Sequence, residues 1–340
     1  MPTLRTAVQT LPPLPALPAV GTVATVAATP LRAWLLGLLG VAIFALSIPM
    51  TRLASGSLAA PQLPPVFVAI GRAALAGLLA ALWLLAIRAP RPSPAQWRGL
   101  ALTALGVVFG WPLFLGWAVQ RVDAAHASVV AGLLPIATAL IGALVLRQRP
   151  SRGFWLCAAL GTALVLGFAA WRGGALPQLA DGLLLLAVLW GGLGYVLGAR
   201  LSAAQPGGAP AMAPEQVISW VLVLSLPITV PVALWQRPTL PVAASAWAGF
   251  VYVSVFSMWL GFFAWYRALA IGGTLRISQV QLLQPFLSMW LAVPVLGERL
   301  DAATVLFSLA VMATVFLSKR MAVAPSSSAP VTASITASAR

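Results

Sequence analysis

The sequence predicts an all-α integral membrane protein: ten transmembrane helices built as two inverted five-helix repeats. Three observations carry this expectation: a chain nearly without charge, ten apolar runs close to membrane-spanning length, and an internal repeat of spaced residues. Of 340 residues, 61% are hydrophobic and only 7% are charged, whereas a soluble domain carries about 25% charged residues. A soluble chain this apolar would lack a polar skin for its core, so its natural solvent is lipid.

The apolar segments run approximately over 32–52, 66–87, 99–119, 125–146, 153–171, 182–199, 216–235, 246–268, 276–296 and 302–318. Each approaches the roughly 20 residues that a helix needs to cross the hydrocarbon. The connections are short, which implies one compact bundle. Residues 1–30 are rich in Pro, Ala, Thr and Val, and four prolines between Leu11 and Pro18 interrupt any helical core of a signal peptide. This stretch and residues 320–340 read as disordered cytoplasmic tails. The first repeat is expected over 31–172 and the second over 181–319.

The net charge of +15 comes from 20 basic and 5 acidic residues. The basic residues fall singly or in twos and threes between apolar runs, unlike the clustered face of a nucleic-acid binder. With the N-terminus inside, 14 of them lie on the inner side, 5 on the outer side, and Arg72 falls within the second segment. That bias obeys the positive-inside rule and puts both termini in the cytoplasm. Nineteen Arg against one Lys, with no Asn, read as the codon bias of a GC-rich bacterium, hence an inner (plasma) membrane. One cysteine, Cys157, and one histidine, His126, leave no disulfide and no Cys- or His-rich metal site. No cofactor is expected.

The two halves resemble each other at an offset of 150 residues. Ser128, Pro135, Gln148 and Arg149 pair with Ser278, Pro285, Glu298 and Arg299. The aromatic stretch around Trp117 pairs with Phe262-Phe263-Ala264-Trp265 after a two-residue gap. Five spans per repeat is odd, so the second copy must be inverted in the bilayer. Inverted repeats mark secondary transporters, whose substrate site lies at the repeat interface.

The motif Trp265-Tyr266-Arg267-Ala268-Leu269, then Pro285, then Leu296-Gly297-Glu298-Arg299-Leu300, resembles the drug/metabolite transporter superfamily, in particular proteins built from two EamA domains. The first half matches through Pro135 and Leu144 to Arg149, with Gln148 where the family usually has Glu. The resemblance spans about residues 32–319. It implies a ten-helix bundle with a pseudo-two-fold axis and solute export, and it leaves the substrate open.

Arg72 sits about seven residues into the second span, where an Arg costs at least about 2.5 kcal/mol. It either supplies a counter-charge to an anionic group on a solute, or snorkels outward or bonds a neighbouring helix. Pro135 and Pro285 lie mid-span, where a proline frees a carbonyl four residues earlier; they serve either as gating kinks or as static ones. Among Gln279, Gln281 and Gln284, the last two share a helical face and either bind solute or bond to neighbouring helices. Trp117, Trp190, Tyr195, Trp265 and Tyr266 are candidates for an aromatic cavity, against a plainer role as interfacial anchors. His126 and Glu298 are the candidate proton sites, although none of the five acids is expected deep in a span.

The sequence therefore points to a secondary transporter for a small organic solute: an amino acid, metabolite or drug-like compound, exported by alternating access. Its expected partners are the solute and the bilayer, with no nucleic acid and no ATPase subunit, since no Walker motif is present. A membrane-embedded enzyme or a channel is the alternative. The enzyme would need carboxylates or His pairs in the membrane interior, and the sequence predicts none.

Overall fold

The computed structural model describes residues 31–145, 151–173, 178–202, 211–272 and 278–321. The tail expected over 1–30, most of that over 320–340, and Gln148 lie outside the described residues. Regular structure among the described residues is helical, apart from an isolated bridge between Gly56 and Pro61. Seven helical stretches are long and apolar enough to cross a membrane. They include Leu31–Ser55 (α1), Phe67–Ala86 (α2), Pro94–Ala118 (α3), Leu179–Ser202 (α6) and Pro214–Trp235 (α7). The other two are α4, made of Ala124–Ala131 and Leu134–Val145, and α8, made of Ala244–Tyr252, Val253–Leu260 and Gly261–Gly272. Between them lie α5 (Arg152–Gly173), α9 (a 3₁₀ turn Ser278–Leu283 followed by Gln284–Leu296) and α10 (Ala302–Met321). Their apolar stretches among the described residues are shorter, at Trp155–Phe168, Gln284–Leu296 and Ala302–Thr314.

Proline explains most of the interruptions. In α1 the first helical piece ends at Ala45, four residues before Pro49, whose ring excludes the carbonyl at that position. Helix α3 opens on Ser93, which accepts from the Gln96 N–H while the Gln96 side chain accepts from the Ser93 N–H at 2.7 Å, with Pro94 in the first turn. A π-helical stretch, Leu105–Gly110, then precedes Pro112, and a matching stretch, Val253–Leu260, widens α8. Pro135 and Pro285 differ from the expected interior kinks. Each is the second residue of a new helix, Leu134–Val145 and Gln284–Leu296. There its missing N–H is one the helix would leave unpaired anyway, so α4 and α9 restart rather than bend.

Helix pairing is long-range. Helix α1 packs on α8 and α9, α2 on α7, α3 on α6, α4 on α6 and α9, and α5 on α10. Two large buried apolar clusters result, one centred on α4, α5 and α6, the other on α2, α7 and α8, with Tyr195 of α6 touching both, and a smaller third gathers Ala54, Leu63, Val68, Phe250 and Val253. Leucines such as Leu35, Leu82, Leu85 and Leu306 remain exposed on the outer faces of the rods, as suits a lipid surround.

The tightest approach joins α3 to α6. A Cβ on Gly106 would stand 2.5 Å from the Gly194 Cα and 2.6 Å from the Trp190 carbonyl oxygen. Both obstacles are backbone and cannot rotate away, so glycine is what lets these helices touch. Gly106→Val is expected to force them apart and cost about 3 kcal/mol or more. Thermal unfolding in detergent would register this as a large fall in midpoint; an unchanged midpoint would show that the contact is loose.

Helix α2 ends on an unusual residue. Arg88 has φ 48°, in the left-handed region. Its N–H bonds the Leu85 carbonyl at 3.1 Å, and the Ala89 N–H bonds the Leu84 carbonyl at 2.9 Å. This is a Schellman closure, whose left-handed position is ordinarily glycine because a Cβ there costs about 1 kcal/mol.

A buried arginine cavity and a sealed bundle end

Arg72 opens the α-helical part of α2 directly after the π turn Phe67–Gly71, and it is 3% exposed. It does not snorkel. Its Nη2 donates to the Ser257 Oγ of α8 at 2.8 Å, and Ser257 in turn shares a 2.6 Å hydrogen bond with the Ser47 Oγ of α1. Ser47 stands at the helix break before Pro49, and Ser257 in the π stretch of α8, so both hydroxyls sit where regular helix is interrupted. Among the described residues the Arg72 Nε has no hydrogen-bond acceptor, and no acid lines the space around it.

That space is a cavity of about 40 Å³ between α1, α2, α3, α6, α8 and α9, room for on the order of three waters. Its walls include Arg72, Tyr195, Trp111, Phe262 and Gln284. The Gln284 Oε1 is buried without a donor. A guanidinium N–H and an amide oxygen, both unpaired, thus border one cavity whose other walls are mostly apolar and aromatic. Gln281 borders a second space of about 20 Å³, with Ser128, Pro285 and Ser288, and Gln284 faces both.

Of the expected cavity residues, the structure brings together Arg72, Tyr195, Gln284 and, next door, Gln281. The other aromatics are elsewhere. Trp117 lies at the end of α3, edge-on to Phe114 at 6.0 Å, and its carbonyl accepts from Arg121. Trp190 covers Gly110, and Trp265 lies against Gly40 of α1, both at helix–helix contacts. Tyr266 packs on Phe262 at 5.2 Å, outside the lining. The side chains of Pro135 and Gln279 lie outside the described residues. Ser47, Trp111 and Ser257 were missed by the sequence reading. The usable signal was Trp111, which the register pairing Trp117 with Trp265 places opposite Trp259.

At one end the bundle is closed by polar contacts. Arg52 Nη1 donates to the Val119 carbonyl, Gln120 Nε2 donates to the Ser55 carbonyl at 3.2 Å, and the Leu58 N–H donates to the Gln120 carbonyl at 3.1 Å. Glu298, in the loop after α9, accepts from the N–H groups of Ala124 and Ala125 at 2.7 and 2.9 Å, capping α4 from another part of the chain. Burial pushes the Glu298 carboxyl above its ordinary value, with a further rise from Asp123, against the two N–H bonds and Arg52. The folded protein therefore holds this proton more tightly than the unfolded chain. Stability from the group is full below the ordinary value of 4.5 and is lost as pH rises through the raised one. Melting curves across that window should fall with pH more steeply in the wild type than in Glu298→Gln; parallel curves would show that the carboxyl is not perturbed.

His126 and Asp181 lie at helix starts, where the sequence placed them, but they form a buried ion pair that the sequence did not reveal. His126 Nε2 lies 2.6 Å from Asp181 Oδ1, at 4% and 2% exposure. Asp181 Oδ2 also accepts from the Gln178 N–H at 2.7 Å, at the start of α6. The imidazole packs on the Phe168 ring at 4.9 Å. The pair is near helix starts, as the sequence placed these residues, yet tertiary packing has sealed it from solvent.

Comparison with known proteins gives a family, two relatives and a shared fold. The chain matches the EamA-like transporter family over residues 31–170 and 178–320. It is 41% identical over 291 residues to the uncharacterized transporter YdeK of Bacillus subtilis, covering 85% of this chain and 97% of that protein. It is 25% identical over 261 residues to the uncharacterized transporter sll0355 of Synechocystis sp., covering 70% of this chain and 76% of that one. A protein of known crystal structure shares the fold with TM-score 0.58 at 17% identity, over 85% of this chain and 97% of that chain. With both matched stretches together taking in nearly all of the helical bundle, this multi-pass membrane protein belongs to the EamA-like transporter family.

Proposed function

We propose that the chain is a secondary transporter of the bacterial inner membrane that exports a small organic solute by alternating access, with Arg72 as the solute's counter-charge. The observation that carries this reading is the unpaired Arg72 Nε in a cavity bordered by helices from both halves of the chain. Burying a cation without an acid beside it is costly, and such a residue in a membrane helix is expected to serve a solute or ion path. The cavity is too small for a solute as it stands. Export requires the sealed end at Arg52, Gln120 and Glu298 to open while the opposite end closes.

The reading includes ten spans in two inverted repeats, with both termini cytoplasmic. Helix pairing supports it. Exchanging each helix with the one five places along turns the α1–α8 contact into α6–α3 and the α4–α6 contact into α9–α1. It returns α2–α7, α4–α9 and α5–α10 to themselves. The proline restarts of α4 and α9, and the π stretches of α3 and α8, also fall at equivalent places. No acid lines the Arg72 cavity among the described residues. Transport is accordingly read as facilitated diffusion or solute exchange, without obligatory proton coupling, and His126 and Glu298 as structural.

Cells overexpressing the chain would be challenged with toxic amino acids, amines and drugs. Resistance is expected for solutes carrying an anionic group and should vanish in Arg72→Ala. Resistance to a purely cationic drug, unchanged by Arg72→Ala, would remove the cavity from the pathway. In proteoliposomes, uphill accumulation driven by an imposed pH gradient and lost in His126→Gln or Glu298→Gln would overturn the uncoupled mechanism.

A further inference from the structure

A second site lies away from the cavity, on the lipid-facing side of the bundle. Where α2 ends, a groove of about 350 Å³ runs between α2 and α7. Ala81, Leu84 and Leu85 form one wall, Trp220 and Val223 the other, and Arg88 and Arg91 stand at its mouth. We propose that this groove binds one anionic phospholipid, its acyl chain along the apolar walls and its headgroup phosphate between the two arginines.

Three independent observations point to this occupant. The groove is apolar along its length and cationic only at the helix end, with no acid in its lining among the described residues, a pattern that suits a single anionic lipid. Arg88 holds a left-handed conformation, with φ 48°, at a position where glycine is the unstrained choice. A strained backbone kept at a charged residue is a pointer to function. Trp220 Nε1 is buried without a hydrogen-bond acceptor, and its ring stands edge-on to Trp97 at 5.6 Å. The indole is thereby held in place as the firm apolar wall against which an acyl chain would lie.

Arg88→Gly makes the test clean, because it relieves the strained backbone and so preserves the fold. The purified protein would be analysed by native mass spectrometry after exposure to equal amounts of phosphatidylglycerol and phosphatidylcholine. The wild type is expected to retain phosphatidylglycerol about tenfold over phosphatidylcholine, the order expected from two arginines near one phosphate. Arg88→Gly/Arg91→Gln should lose that preference while its melting temperature holds or rises, and Arg91→Gln alone should lose part of it. Trp220→Phe should shorten retention of both lipids equally. Inorganic phosphate alone should not raise the melting temperature, whereas phosphatidylglycerol should. Equal retention of the two lipids by the wild type, a preference that survives the double variant, or protection by inorganic phosphate as strong as that by the lipid would each overturn the assignment.

Discussion

Arg72→Met is expected to abolish transport and, at the same time, to make the protein more stable. The guanidinium is 3% exposed, and its Nη2 donates to Ser257 while its Nε has no acceptor. Buried charge of this kind is paid for by the rest of the fold. Replacing it with an apolar side chain of similar length should raise stability by about 1–2 kcal/mol. Ser257 keeps its bond to Ser47, so no buried hydroxyl is orphaned by the change. Transport loses the one cation that lines the cavity among the described residues, and a drop on the order of 100-fold or more is expected when one partner of a desolvated charged pair is removed. Melting in detergent and uptake into proteoliposomes would be measured on the same preparation. A variant that melts lower and transports normally would make Arg72 a structural residue and end the functional reading of the cavity.

The His126–Asp181 pair should behave in the opposite way. His126→Leu leaves Asp181 buried at 2% exposure, with the Gln178 N–H still donating to its carboxylate. Removing one member of a buried pair costs about 3–5 kcal/mol, because the other is left uncompensated. The double variant His126→Leu/Asp181→Leu should recover most of that loss, since two apolar side chains can repack against Phe168 where the pair now stands. Thermal melting of the four proteins in the cycle decides the point. Additive losses, with no recovery in the double variant, would mean that the two groups do not stabilise each other.

The sequence by itself determined that this chain lives in lipid and where its helices run. Charge so sparse and apolar runs so long have no alternative solvent, and the structure's seven long apolar stretches fall on seven of the predicted segments. The family was legible too, because the pieces of its motif from Trp265 to Leu300 lie close together in the chain. Arg72 announced itself because a cation in an apolar run is anomalous whatever surrounds it. Which faces of the helices turn inward was left to the tertiary structure. In a soluble helix the polar face points outward and reveals the buried one, but here lipid and protein interior are equally apolar, so periodicity carries little information. That is why Trp117, Trp190, Trp265 and Tyr266 could not be told from Tyr195 and Trp111 by residue type. The decisive contacts also join distant positions: Arg72 to Ser257, Ser47 to Ser257, His126 to Asp181, Glu298 to Ala124. Each depends on the packing of helices far apart in the chain, which sets the neighbours of a polar group and so decides whether a buried arginine or acid is paired or left open to a solute.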